Sequence, residues 1–351
     1  MELLETTLNG IQPVPAAHLT AAQERLDNLT KPRRSLGYLE SLAARYVALR
    51  GEVRAKVGGK RVCVFAGDHK VTAEGVSAYP PEVTQLMVKN FLKGGAAINV
   101  LARGAGVDVE VIDIGVNGDL GLLPGLLQRK VKPGADNIAR GPAMTLDECR
   151  QAVTIGLERA AVAARAGVTM LGTGEMGIGN TTPAAALFAA LLGVPAAEVT
   201  GPGTGLEPAA VTAKVAVVER ALQLNQARCH GPLETLAALG GLELAGLCGL
   251  CLGAAAARVA VVVDGFISSA AALVAMRLAP AAKDYMFFAH MSAEPGHQTF
   301  FEHEGLRPIV DLGMRLGEGT GAVIAMQIIE DAVAIISEMA TFAEVGIQPG
   351  A

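Results

Sequence analysis

The stretch GVTMLGTGEMGIGNTTPAAALFAALL, residues Gly167 to Leu192, carries the reading of the fold. An apolar run from Val168 leads into Gly172, Gly174 and Gly177, and an alanine-rich segment follows. Strand, glycine loop and helix in that order form one βα unit, and G-x-G-x-x-G is the outward form of a dinucleotide-binding loop. Glu175, however, stands between the second and third glycines, where a carboxylate would meet the charge of a pyrophosphate. The helix also starts late, with Thr181 or Thr182 as cap and Pro183 in its first turn. An acidic residue near the ribose-binding distance, Glu198, lies in VPAAEVTG and not at a strand end. The loop is therefore read as one that presents a carboxylate.

Outward from this unit, four more apolar runs alternate with helical stretches. They are RVCVFAGDH from Arg61, VDVEVIDIGV from Val107, VAVVVDG from Val259 and DYMFFAH from Asp284. Near-continuous apolar strands separated by helices predict an α/β fold, a parallel sheet flanked by helices on both faces in Rossmann-like layering. Thr145 and Glu148 have the spacing of a capping box opening the helix before the Val168 strand. Two amphipathic segments, His18 to Leu29 and Leu36 to Leu49, precede the first strand on either side of KPRRS. A long helical pattern, AVIAMQIIEDAVAIISEMATF, follows Gly321. These ends are expected to form a small helical domain (1–55 plus 320–351) on a large α/β catalytic domain (56–319).

Composition narrows the function classes. Of 351 residues, 51% are hydrophobic and 18% charged, which excludes global disorder. The net charge of −5 and the absence of a long Lys/Arg cluster argue against nucleic acid or an anionic membrane surface as partner. The mean hydropathy is positive, +0.39. Yet the longest uncharged stretch, Met176 to Ala197, is broken by Asn180, Thr181, Thr182 and two prolines. A membrane-spanning helix needs about 20 predominantly apolar residues. MELLETTLNG has acids where a secretory signal has a basic and then an apolar region, so a cytoplasmic protein is expected. The five cysteines lack a framework spacing, and Cys248 and Cys251 in LAGLCGLCLGAAAA read as small core residues.

The predicted strands share polar or glycine ends: Gly67-Asp68-His69, Asp113-Ile114-Gly115, Gly174-Glu175, Asp264-Gly265 and His290-Met291-Ser292. In open parallel sheets ligands bind at the carboxyl edge, so five such ends predict one shared site there. Two more glycine turns stand out. TGPGTGL (Thr200 to Leu206), with Lys214 about two helical turns on, has the makings of a phosphate nest, although a simple change of chain direction explains it equally well. Glu318 in LGEGTG, flanked by glycines, faces either a cleft or only the start of the last helix. HMSAEPGH offers two histidines without metal-binding spacing, so no metal is expected.

Taken in order, KPRRSLG, GDHKVTAEGVSAYPPEVT, GEMGIGNTT, GPGTGL, HMSAEPGH and LGEGTGA closely resemble the nicotinate-nucleotide–dimethylbenzimidazole phosphoribosyltransferases of cobalamin lower-ligand synthesis. The resemblance spans nearly the whole chain. It implies transfer of the 5-phosphoribosyl group from nicotinate mononucleotide to 5,6-dimethylbenzimidazole, giving α-ribazole 5′-phosphate and nicotinate. It further implies a homodimer and no cofactor. By motif, Glu318 matches the catalytic base, and Glu175 a second active-site carboxylate. Gly177, Gly203, Thr204, Gly205 and Lys214 match the phosphate and ribose region. Ser77, Tyr79, Gln85, Met87 and Leu316 match the pocket for the aromatic base, and Ser292 the place of the departing nicotinate. Where the family tends to have glycine before the serine of KPxGSLG, this chain has Arg34. Alternatives are transfer to adenine, another benzimidazole or a phenolic base, or a dinucleotide-dependent oxidoreductase using the glycine fingerprint.

Overall fold

In the computed structural model, residues 2–346 are described, so Met1 and residues 347–351 of the expected small domain lie outside them. Six strands build the sheet: β1 Gly59–Gly67, β2 Asp108–Gly115, β3 Leu126–Gln128, β4 Val168–Met176, β5 Ala260–Val263 and β6 Met286–Phe288. Their order is β3-β2-β1-β4-β5-β6, with every neighbouring pair parallel. The five predicted strands are all present, which confirms the α/β parallel-sheet class. The sequence reading missed β3, whose three residues sit at the sheet edge and are partly exposed. Strand order reverses between β1 and β4, and the carboxyl ends there frame the crevice where such sheets bind ligands.

The two faces differ in what they carry. Val62 and Val64 share a face with Gly172 and Gly174, against which helix Thr320–Glu338 lies. Phe65 points the other way, onto Gly246 of helix Leu242–Ala256. The fingerprint glycines owe their identity to this packing. A Cβ on Gly172 would come within 2.7 Å of Val62 Cγ2 and 3.0 Å of Met326 Cε. One on Gly174 would lie 2.7 Å from the Glu318 carbonyl, and one on Gly177 2.3 Å from the Gly67 carbonyl. All three are consumed by internal contacts.

Behind the sheet, helix Leu146–Arg165 packs on helix Leu242–Ala256 almost backbone to backbone. Cβ positions on Gly156 and Gly249 would fall 2.0 Å from the carbonyls of Gly246 and Val153. The predicted capping box opens the first of these helices: Glu148 N–H donates to Thr145 Oγ1, and Thr145 N–H to Glu148 Oε2. Cys248 and Cys251 are both free and buried in this layer.

At the other side, helices Ala16–Asn28, Tyr38–Arg50 and Thr320–Glu338 pack together, whereas helix Glu2–Gly10 lies on the rear pair. By length and composition Thr320–Glu338 could cross a membrane, yet 56% of it is buried inside the fold, against β4, β5 and β1. Arg34 has φ +60°, the left-handed backbone that favours glycine. Arg34 thus occupies, before helix Tyr38–Arg50, a backbone setting that glycine would adopt without strain.

Candidate active site

A cavity of about 540 Å³ opens at the carboxyl ends of β4, β5 and β6. Nine of the thirteen sequence-predicted site residues line it: Tyr79, Met87, Glu175, Gly177, Gly203, Thr204, Ser292, Leu316 and Glu318. Four stand behind the wall or beside it. Ser77 Oγ is 3.2 Å from Thr204 Oγ1, and Gln85 donates to the Asn117 carbonyl. Gly205 belongs to the same turn as Gly203 and Thr204 without reaching the cavity. Lys214 is buried, its ammonium donating to Thr181 Oγ1 at 2.7 Å and the Gly201 carbonyl at 3.1 Å. Two larger surface grooves, about 660 and 600 Å³, hold none of the predicted residues.

The two glycine-turn carboxylates, 143 residues apart in the chain (318 − 175), meet here. Gly317 has φ +89°, and a Cβ on it would stand 2.1 Å from Glu175 Oε1. The Glu318 N–H points to the Glu175 carboxylate, and Asn180 Nδ2 donates to its Oε2. Asn180 precedes helix Thr181–Leu192, so the expected threonine cap is replaced by an asparagine whose side chain serves Glu175 instead. Glu318 Oε2 accepts the Ile98 N–H at 3.3 Å, at the start of helix Ala97–Ala105. Glu318 itself has φ +65°, a strained setting for a non-glycine residue that functional sites often retain.

Burial raises both carboxyls above the ordinary range of a glutamate. Glu175 is pushed up to about 8 by desolvation, with the Asn180 bond opposing and the charges of Asp264 and Glu243 reinforcing. Glu318 is raised by desolvation, against the Ile98 hydrogen bond, with Asp264 adding to the rise.

Sequence reasoning flagged Asp264 as a strand end and His290 as a strand end without metal-binding spacing, and left Glu294 and Arg315 aside; all four line the cavity. Asp264 accepts from Gly319 N–H (3.2 Å) and Ala322 N–H (2.9 Å), which ties the LGEGTG turn and the last helix to β5. His290 Nε2 lies 4.0 Å from Asp264 Oδ1. His297 accepts the Ser292 N–H on Nδ1 and so donates from Nε2 to Ser269 Oγ, both at 2.9 Å. Burial pushes its pKa down to about 3, so this imidazole is a neutral brace for the Ser292 backbone. At the Gly203 turn, Glu294 Oε1 accepts the Gly203 N–H at 2.9 Å, and Arg315 donates to the Gly203 carbonyl at 3.3 Å. Lys214 sits beneath this turn, its pKa lowered to about 8 by desolvation against the pull of Glu294. Among the described residues no three His, Cys, Asp or Glu side chains are grouped to hold a metal ion.

The cavity thus combines two carboxyl groups with a glycine turn held by Lys214, Arg315 and Glu294, a set suited to a ligand with a cationic ring and an anionic tail. Comparison with known proteins bears directly on this. The family model described as Phosphoribosyltransferase matches residues 11–347. The chain is 55% identical over 341 residues to the nicotinate-nucleotide–dimethylbenzimidazole phosphoribosyltransferase of Pelodictyon phaeoclathratiforme, covering 97% of this chain and 96% of that one. Its identity to the protein of the same name from Geobacter sulfurreducens is 54% over 350 residues, 100% and 99% of the two chains. Among solved structures, CobT from Thermus thermophilus superposes with a TM-score of 0.91 at 50% identity, over 95% of this chain and all of that one. The chain is a phosphoribosyltransferase and belongs to the nicotinate-nucleotide–dimethylbenzimidazole phosphoribosyltransferase family.

Proposed function

We propose that the protein transfers the 5-phosphoribosyl group of nicotinate mononucleotide to 5,6-dimethylbenzimidazole, releasing nicotinate and forming α-ribazole 5′-phosphate for the nucleotide loop of cobalamin. The observation that carries this reading is the meeting of Glu175 and Glu318 in one cavity that the Gly203 turn also lines. In the nucleotide the ring nitrogen bonded to ribose C1′ is a pyridinium. When that bond breaks, the electron pair returns to nitrogen and nicotinate leaves without needing a proton. The unprotonated imidazole-type nitrogen of the base attacks C1′ from the opposite face, which inverts the anomer from β to α. The other ring nitrogen then gives its proton to Glu318, the general base. Glu175 stabilises the positive charge that develops on the ribose carbon, as carboxylates do in oxocarbenium-like states.

Gly177, Gly203, Thr204, Gly205 and Lys214 are assigned to the phosphate and ribose. Lys214 acts through the Gly201–Gly205 turn and not by direct contact. Tyr79, Met87 and Leu316 receive the aromatic base, with Ser77 and Gln85 supporting them from behind, and Ser292 faces the nicotinate. Incubation with nicotinate mononucleotide and a panel of bases, with products identified by mass, tests the proposal. Release of nicotinate with an α-ribosyl product of dimethylbenzimidazole supports it; release only with adenine or a phenolic base redirects it to another lower ligand.

The same proposal includes a cytoplasmic homodimer whose small helical part, drawn from both chain ends, sits beside an α/β body. Tyr79 and Leu316, more than half exposed at the cavity mouth, are apolar surface that a second copy would cover. Light scattering at twice the chain mass is the expected result.

The two raised carboxyls give a pH profile with a definite sign. Both act ionised, so kcat/KM for the nucleotide should rise with pH through a midpoint near 8, the value to which Glu175 is pushed, and level off above it. In the complex the pyridinium charge favours the carboxylate, so the rise in kcat should fall at lower pH. A flat profile from about pH 6 to 9 would remove these carboxylates from the reaction.

A further inference from the structure

His69 follows the end of β1, and Glu243 lies in the first turn of helix Leu242–Ala256. The imidazole Nε2 and carboxylate Oε1 are 2.6 Å apart, with both side chains almost wholly buried. Neither residue lines the cavity. Burying such a pair carries a desolvation cost that an apolar pair would avoid, so its placement calls for a physical account.

Glycines close on the ring from two sides. A Cβ on Gly241 would stand 2.3 Å from His69 Cε1, and one on Gly177 3.3 Å from Cδ2 and Nε2. Gly177 and Ile178 form cavity wall, and the Ile178 N–H is held by Thr84 Oγ1 at 3.1 Å. The thickness of one imidazole therefore sets how far that wall stands from the start of the rear helix. The partner carboxylate reaches further in charge than in contact. Glu243 Oε2 has no hydrogen-bond partner and lies 3.3 Å from where a Gly67 Cβ would be. One residue pair back along that strand, Phe65 is the β1 neighbour of Glu175.

We propose that His69 and Glu243 form a positioning pair for the transfer site: the ring seats the Gly177 wall, and the carboxylate sets the charge environment of Glu175. This rests on the role given to Glu175 under the proposed function. Asn180, before helix Thr181–Leu192, and the Glu318 N–H bond to Glu175, whereas Asp264 after β5 and Glu243 act on it through space by charge. Asp68, at the end of β1, is the charged group beside the pair. Among these, Asp264 and Glu243 both favour the protonated form of Glu175, so neutralising Glu243 must ease its ionisation.

The test is Glu243→Gln, read by the carboxyl titration of Glu175 in ¹³C-glutamate-labelled protein, with Glu175→Gln to assign the signal. Its midpoint should fall by about half a unit, and the rise of kcat/KM with pH should move down equally. An unmoved midpoint in folded protein overturns the charge role. In parallel, His69→Ala should raise the nucleotide KM about tenfold and leave kcat within about threefold, while His69→Gln, with a donor near the Nε2 position, recovers most of the loss. Equal losses in both His69 variants, or none in either, overturn the positioning role even if Glu243→Gln does not fold. The titration needs no substrate, so a protein without transfer activity sinks the transferase reading and leaves this test standing.

Discussion

Glu318→Gln should leave both substrates bound and lower kcat by about 10²–10⁴-fold, the usual loss when a general base is removed. The amide keeps the size of the side chain and an oxygen to accept the Ile98 N–H, so the turn should survive the change. It cannot take the proton from the attacking ring. Saturation kinetics decide the matter: near-native kcat at neutral pH would strip Glu318 of that role, whereas a raised KM with unchanged kcat would make it a binding residue.

Lys214→Ala should act on the other substrate group. The buried ammonium ties Thr181 and the Gly201 carbonyl together and balances Glu294 beneath the Gly203 turn. Losing the ammonium leaves its buried partners unsatisfied, at a cost of about 1–3 kcal/mol, and unseats the turn assigned to the phosphate. Nucleotide KM should therefore rise about ten- to a hundredfold, at about 1.4 kcal/mol per decade, with the KM for the aromatic base nearly unchanged. Equal weakening of both substrates would indicate damage to the fold at large.

Much of this was legible in the chain. Apolar runs between helical stretches mark β1, β4, β5 and β6, which are buried almost throughout, and valines and isoleucines alternating with acids mark β2. β3, as short as β6 but only partly buried, leaves no such trace. Glu175 and Glu318 stood out because glycines flank them. Asp264 and His290 did not, since an acid or a histidine at a strand end is common and its partners are distant in sequence. The G-x-G-x-x-G motif was visible but its cause was not. What forbids a Cβ at Gly172 and Gly174 is Val62, Met326 and the Glu318 carbonyl, more than a hundred residues away in each direction. For Lys214 the chain gave the neighbourhood correctly, while its place behind the wall depends on how helix Pro208–Asn225 packs.

The backbone-to-backbone seam behind the sheet turns the cysteines into a clock. Cys63, Cys149, Cys248 and Cys251 are buried, and Cys229 is partly exposed. Burial pushes the Cys251 thiol up to about 12, far from the thiolate that reacts with labelling reagents. Helices Leu146–Arg165 and Leu242–Ala256 meet where glycine leaves no room for a side chain, so no small local opening admits a reagent between them. Labelling should therefore proceed as one quick event at Cys229 followed by a slow phase in which the inner thiols react together. The rate of that slow phase would report opening of the whole molecule, read without heat or denaturant from side chains that take no part in the chemistry.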